Sequence, residues 1–111
     1  MTLAEIETCV RERIHFVTVV FNDNSLSLID MAQQRRRLPV LGVRYGSVDF
    51  AAAATAMGAW GRRVETMREL DEALDEALRI DAPVVIDALV DPAEYAAQTV
   101  APRITHEEGR R

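Results

Sequence analysis

The sequence predicts an α/β domain, a doubly wound parallel sheet of about three strands covered by helices. Three observations predict it. The segments His15–Phe21 and Pro83–Val90 are almost continuously apolar, as in strands buried on both faces, not alternating as in a half-solvated sheet. Helical periodicity with start and stop signals lies before, between and after the strand segments. The length, 111 residues, is that of one ordinary domain.

The elements follow in order. Thr2-Leu-Ala-Glu5 is a capping-box pattern, and Leu3, Ile6 and Val10 recur at helical spacing with Cys9 beside them. This predicts a helix from Leu3 to about Arg13. The first strand, His15–Phe21, stops at Asn22-Asp-Asn-Ser25, four short polar residues suited to turns and helix N-caps. Its lack of alternation predicts that Phe16–Phe21 is the most buried strand. A second helix, with Leu26, Leu28, Ile29 and Ala32, runs to about Arg35-Arg-Arg37. Pro39, Gly42 and Gly46 punctuate a loop from Leu38 to Ser47. Ser47 is the expected cap of an alanine-rich helix over Val48–Met57, closed by Gly58 at C′.

Trp60–Glu65 reads as a short strand, and Thr66-Met-Arg-Glu69 as a second capping box. The helix it opens runs to Ile80, with Leu70, Leu74, Ala77 and Leu78 on one face and Arg68–Glu72 and Asp75–Arg79 as i,i+4 pairs. Pro83–Val90 is the third strand. Asp91-Pro-Ala-Glu94 starts a last helix with Asp at N-cap and Pro at N1. Residues 1–101 form the expected domain, and 102–111 a polar, frayed tail.

Composition excludes several functions. Apolar residues make up 49% and charged residues 28%, which is globular and not disordered. A net charge of -5 opposes nucleic-acid binding through bulk electrostatics. No apolar run is long enough to span a bilayer, and an N-terminus with Glu5 and Glu7 does not resemble a signal peptide. A lone cysteine, Cys9, excludes an internal disulfide and a Cys-rich zinc site and fits a reducing cytoplasm. All 13 basic residues are arginine, which excludes a Schiff-base or P-loop lysine.

In an open α/β sheet, ligands bind beyond the carboxyl ends of the strands. Asn22–Ser25 lies there and opens a helix, where free amides and a partial positive charge suit phosphate. Carboxylate and carbonyl oxygens beside them suit Mg²⁺. The same four residues also read simply as an Asx turn and helix cap. Cys9 reads as core rather than nucleophile, and His15 and His106 as surface residues without partners at metal spacing. Asp87, inside an apolar strand, reads as a hydrogen-bonded structural group, or one facing a missing half of the domain, rather than as a catalytic one. The run Arg35–Arg37 complements a helix C-terminus, and Trp60 and Phe50 read as core.

The stretch TLAEIETCVRERIHFVTVVFNDNSL, residues 2–26, resembles the second half of the thiamine-diphosphate motif of the acetolactate synthase and α-keto-acid decarboxylase superfamily. That motif begins with Gly-Asp-Gly and ends in Asn-Asn or Asn-Asp-Asn after a helix and an apolar strand. Two later blocks, VDFAAAATAMGAWGRRVET and APVVIDALVDPAEY, are similar to the C-terminal cofactor domain of the same enzymes. The resemblance covers the chain to about Tyr95.

By position, the resemblance implies that Asp23 supplies the side-chain ligand to Mg²⁺ and Ser25 a main-chain carbonyl. Asn24 and Leu26 line the diphosphate and cofactor, and Asn22 ends the strand and orders the turn. Gly-Asp-Gly, whose Asp is the other side-chain ligand, does not occur in the sequence. The resemblance therefore implies the C-terminal segment of a thiamine-diphosphate- and Mg-dependent enzyme acting on 2-keto acids by decarboxylation or carboligation, inactive alone. A partner chain would supply the missing motif half and the pyrimidine-side domain. The alternatives are a non-catalytic α/β remnant and a small binding or self-association module. Open strand edges and helix faces such as Leu26, Leu28 and Ile29 predict self-association.

Overall fold

The computed structural model describes residues 3–97. Helices α1 (Glu5–Arg11), α2 (Ser27–Arg35), α3 (Phe50–Ala56) and α4 (Met67–Ala77) accompany strands β1 (Val17–Asn22), β2 (Trp60–Val64) and β3 (Val84–Leu89), and a 3₁₀ segment covers Pro92–Ala97. All strand pairings are parallel, in the order β1-β3-β2. The open parallel α/β sheet is as the sequence predicts.

The layers follow from which side chains face which helices. Val84, Ile86 and Ala88 of β3 point to one face, where they pack with Val64, Ala73 and Ala77 under α4. Val85 points to the other, against Ala54 and Ala59 around α3 and Ile6 of α1. Alanines at the α3 and α4 contacts let helix backbones lie close to the sheet. The approach is tightest at Gly61 of β2, where a Cβ would overlap the Ala51 carbonyl of α3.

Four expectations need correction. Phe16–Phe21 is not the most buried strand: β1 is an edge strand, half-buried along most of its length, with Phe21 70% exposed. β3 is central and buried at every position from Val84 to Ala88. An apolar run records cover on the two faces of a sheet, whereas lateral position depends on which strands pair on either side. The cap of α3 is Asp49, whose carboxylate accepts from the Ala52 amide at 2.8 Å, and not Ser47. Helix α1 begins at Glu5 behind Ala4, with no side-chain cap; Thr2 lies outside the described residues. The last element is 3₁₀, with Asp91 Oδ1 accepting from the Ala93 amide at 2.9 Å.

Several other local readings hold, whereas α4 stops at Ala77, short of Ile80, and Leu78, expected on its apolar face, is exposed. Thr66 and Glu69 form a complete capping box on α4. Gly58 follows α3 with φ +91°, a conformation that favours glycine. Arg68 pairs with Glu72 at 3.1 Å, while Arg62 reaches across from β2 to Glu72 and Glu76. The pair Asp75–Arg79 is not among the ion pairs of the described residues. The tail from 102 and His106 lie outside those residues.

Candidate functional site at the carboxyl end of β1

β1 ends in Asn22, which is buried, and the chain then turns sharply into α2. Two successive Asx turns shape the corner. Asn22 Oδ1 accepts from the Asn24 amide at 3.1 Å, and Asp23 Oδ1 accepts from the Ser25 amide at 3.0 Å. Asn24 adopts φ +58°, the left-handed region that asparagine tolerates better than most residues. Asn22 therefore ends the strand and orders the turn, as the sequence suggests.

A loop clasps this corner from outside. The Leu26 amide and the Ser25 hydroxyl both donate to the Val43 carbonyl, at 2.8 and 3.1 Å, and Ser25 bridges Arg44 in antiparallel fashion. Val43 is buried. The Arg44 guanidinium donates to Asp30 Oδ2 at 3.0 Å, and Gln34 donates to Asp30 Oδ1. The Gln34 bond, then that of Arg44, holds the Asp30 carboxyl below its usual range.

Asp23, Asn24 and Ser25 line one cavity of about 300 Å³, together with Ser27, Asp30, Arg44 and Pro92. Leu26 does not line it; it sits at the N-cap of α2 and is partly exposed. Tyr95 lies against the Asp23 carboxylate. Burial first, then the charge and hydrogen bond of Asp23, push its phenol above the usual value.

The donor set is oxygen throughout, as a hard cation requires. Among the described residues the Ser25 carbonyl accepts no hydrogen bond. Asn24 Oδ1 is buried without a partner, which is costly for a polar atom unless a ligand completes it. Oxygens of this kind fit a hard cation such as Mg²⁺. Among the described residues no group of three or more His, Cys, Asp or Glu gathers as a metal cluster.

Arg44, Asp30 and Tyr95 are the neighbours that sequence reasoning missed. Arg44 lies in a loop whose only legible signals are turn residues, and its meeting with Asp30 is tertiary. Cys9 is partly buried beside an apolar groove of about 510 Å³ that also includes Ile6, Phe16, Val20 and Phe50. His15 is exposed, with Nε2 3.3 Å from the Ala77 carbonyl. Arg35 and Arg36 end and cap α2. Trp60 packs on the α4-side core. Asp87 is fully buried and hydrogen-bonded.

A parallel sheet with an oxygen-rich turn beyond one strand's carboxyl end is an α/β ligand-binding domain. Residues 1–88 match the profile of the thiamine pyrophosphate enzyme C-terminal TPP-binding domain, and the chain belongs to that family. Its relatives include the catabolic acetolactate synthase of Raoultella terrigena, 33% identical over 87 residues, covering 78% of this chain and 16% of that protein. The acetolactate synthase of Bacillus subtilis strain 168 is 32% identical over 87 residues, covering 78% of this chain and 15% of that protein. Benzoylformate decarboxylase from Polynucleobacter necessarius is similar in structure, with a TM-score of 0.75 and 28% identity over 82% of this chain and 17% of that one. The chain thus spans about 16% of the length of the first of these synthases.

Proposed function

We propose that this chain provides the diphosphate-and-metal end of a thiamine-diphosphate site in an acetolactate-synthase-like enzyme acting on 2-keto acids. The observation that carries the reading is the turn after β1, where Asp23, Asn24 and Ser25 line one cavity and Asn24 Oδ1 is buried without a partner. Asp23 and the Ser25 carbonyl would hold Mg²⁺, while Asn24 and Leu26 would line the diphosphate and the cofactor. When bound, the cofactor supplies a nucleophilic thiazolium carbon for breaking or making the bond beside a keto carbonyl. In this reading the residues of the turn hold the ion and orient the diphosphate.

The sequence contains no Gly-Asp-Gly, so this turn encodes half of the family's metal shell. Decarboxylation or carboligation would need that other half of the shell and a pyrimidine-side domain beside this turn. The lone thiol suits a cytoplasmic setting. Among the described residues no helix is long and apolar enough to cross a membrane.

Calorimetric titration with thiamine diphosphate and Mg²⁺ tests the reading. The isolated chain should bind more weakly than micromolar, Asp23→Ala should abolish what binding there is, and Cys9→Ser should leave it unchanged. Sub-micromolar affinity, more than ~8 kcal/mol, would require a nearly complete site and contradict it.

A second reading, self-association, is favoured by the open edge of β1 and by exposed Phe21, Leu28 and Ile29. It is compatible with the first, because the surfaces a partner would cover are the ones that would pair in its absence.

A further inference from the structure

Asp87 is a charged group that the proposed site does not use. It is 0% exposed, in the middle of the central strand. Its Oδ1 accepts from Asn22 Nδ2 at 3.0 Å. Its Oδ2 accepts from the Phe50 amide at 3.1 Å and from Arg63 Nε and Nη2 at 3.1 and 2.9 Å. These donors come from the end of β1, the start of α3 and the middle of β2. One carboxylate ties three elements together.

Asn22 links that knot to the turn. Its Nδ2 donates to Asp87 and to the Val48 carbonyl at 2.9 Å, and its Oδ1 accepts from the Asn24 amide at 3.1 Å. With two acceptors on the nitrogen and a donor on the oxygen, the amide has one satisfied orientation, and a flip would break all three bonds. Asn24, held by that oxygen, is the residue in the left-handed conformation between Asp23 and Ser25.

We infer that Asp87 is a positioning residue for the turn: it fixes the Asn22 amide, which holds Asn24 left-handed and so sets the path of the chain through Asp23 and Ser25, which line one cavity. The inference rests on the site reading above and extends it to a residue that does not line the cavity. A carboxylate suits the task because donors approach both oxygens. An asparagine there would turn its NH₂ either toward Asn22 or toward Arg63 and the Phe50 amide, opposing donor to donor. Arg63, 27% exposed in its side chain, supplies the compensating charge that a buried carboxylate needs.

Amide hydrogen exchange on the full chain tests it. In Asp87→Asn, the Asn24 and Ser25 amides should exchange at least about tenfold faster, while core amides such as Ala54 and Ala73 change less. A purely structural role would move all four together. The same variant should weaken Mn²⁺ binding, followed as paramagnetic broadening at Asp23–Ser25, by about tenfold, and should add nothing in an Asn22→Ala background. If Asp87→Asn does not fold, Asp87→Asn with Arg63→Gln removes the charge together with its partner and takes the same readings. Unchanged Asn24 exchange in a folded variant, or a change only in step with Ala54 and Ala73, would overturn the inference. So would failure of both variants to fold, which would assign Asp87 to the core alone. If the wild-type chain shows no Mn²⁺ broadening while Asn24 exchange still depends on Asp87, the positioning stands and the metal reading falls.

Discussion

Asn22 and Asp87 are diagonal neighbours on one face of the β1–β3 ladder. Asn22 is in register with Leu89 and Val20 with Asp87, and the Asn22 amide crosses to the Asp87 carboxylate at 3.0 Å. The contact joins the end of β1, from which the cavity-lining turn leaves, to the centre of the sheet. The turn after β1 is thus tied to the most buried strand, although it leaves the sheet from an edge.

Gly61→Ala should be strongly destabilising. The new Cβ would meet the Ala51 carbonyl and the Thr55 hydroxyl of α3, and a backbone atom cannot step aside as a side chain can. The expected cost is about 3 kcal/mol, the upper end for overpacking, which denaturant titration would read as a lower midpoint.

Thr66→Ala should cost about 1 kcal/mol, because the Thr66 hydroxyl caps the Glu69 amide at 3.2 Å and the Glu69 carboxylate returns the bond. Thr66→Ser should recover most of the loss in thermal melts.

The Asp30–Arg44 clasp should be sensitive to acid. The Asp30 carboxyl is held below its ordinary 3.8, so its stabilisation is present above that value and is lost as pH falls through the lower folded value. Amide exchange at Leu26, whose N–H bonds Val43 beside Arg44, should accelerate as pH falls below about 3.8 and the carboxylate is protonated. Asp30→Asn should remove that dependence.

The sequence shows which residues form strands and helices because caps, breakers and periodicity are local. Thr66–Glu69, Gly58 and the Asn22–Ser25 corner are all legible in this way. Lateral order is not local. The run Phe16–Phe21 looks more buried than a strand carrying Asp87, yet Asp87 sits in the centre because Asn22, Arg63 and the Phe50 amide meet it there. The chemistry of the site was visible as oxygen-bearing residues after a strand. Arg44 and Tyr95 were not, because they reach the turn only through the folding of distant segments.

Self-association should make the melting of the isolated chain depend on concentration. The free edge of β1 and Phe21, 70% exposed, leave a surface suited to strand pairing. Sedimentation across a concentration series should show dimers or larger species, and Phe21→Arg should reduce them. A sharply melting monomer with a constant midpoint would mean that these surfaces need no partner.

The most direct test of the cofactor-end reading is a nuclear magnetic resonance titration of the chain with thiamine diphosphate and Mg²⁺ at millimolar concentrations. The account predicts shift changes centred on Asp23, Asn24, Ser25 and Leu26, weak in affinity, abolished by Asp23→Ala and retained in Cys9→Ser. Changes centred on the groove beside Cys9 and Phe16, or none at the turn up to about 10 mM, a binding free energy below about 3 kcal/mol, would contradict it.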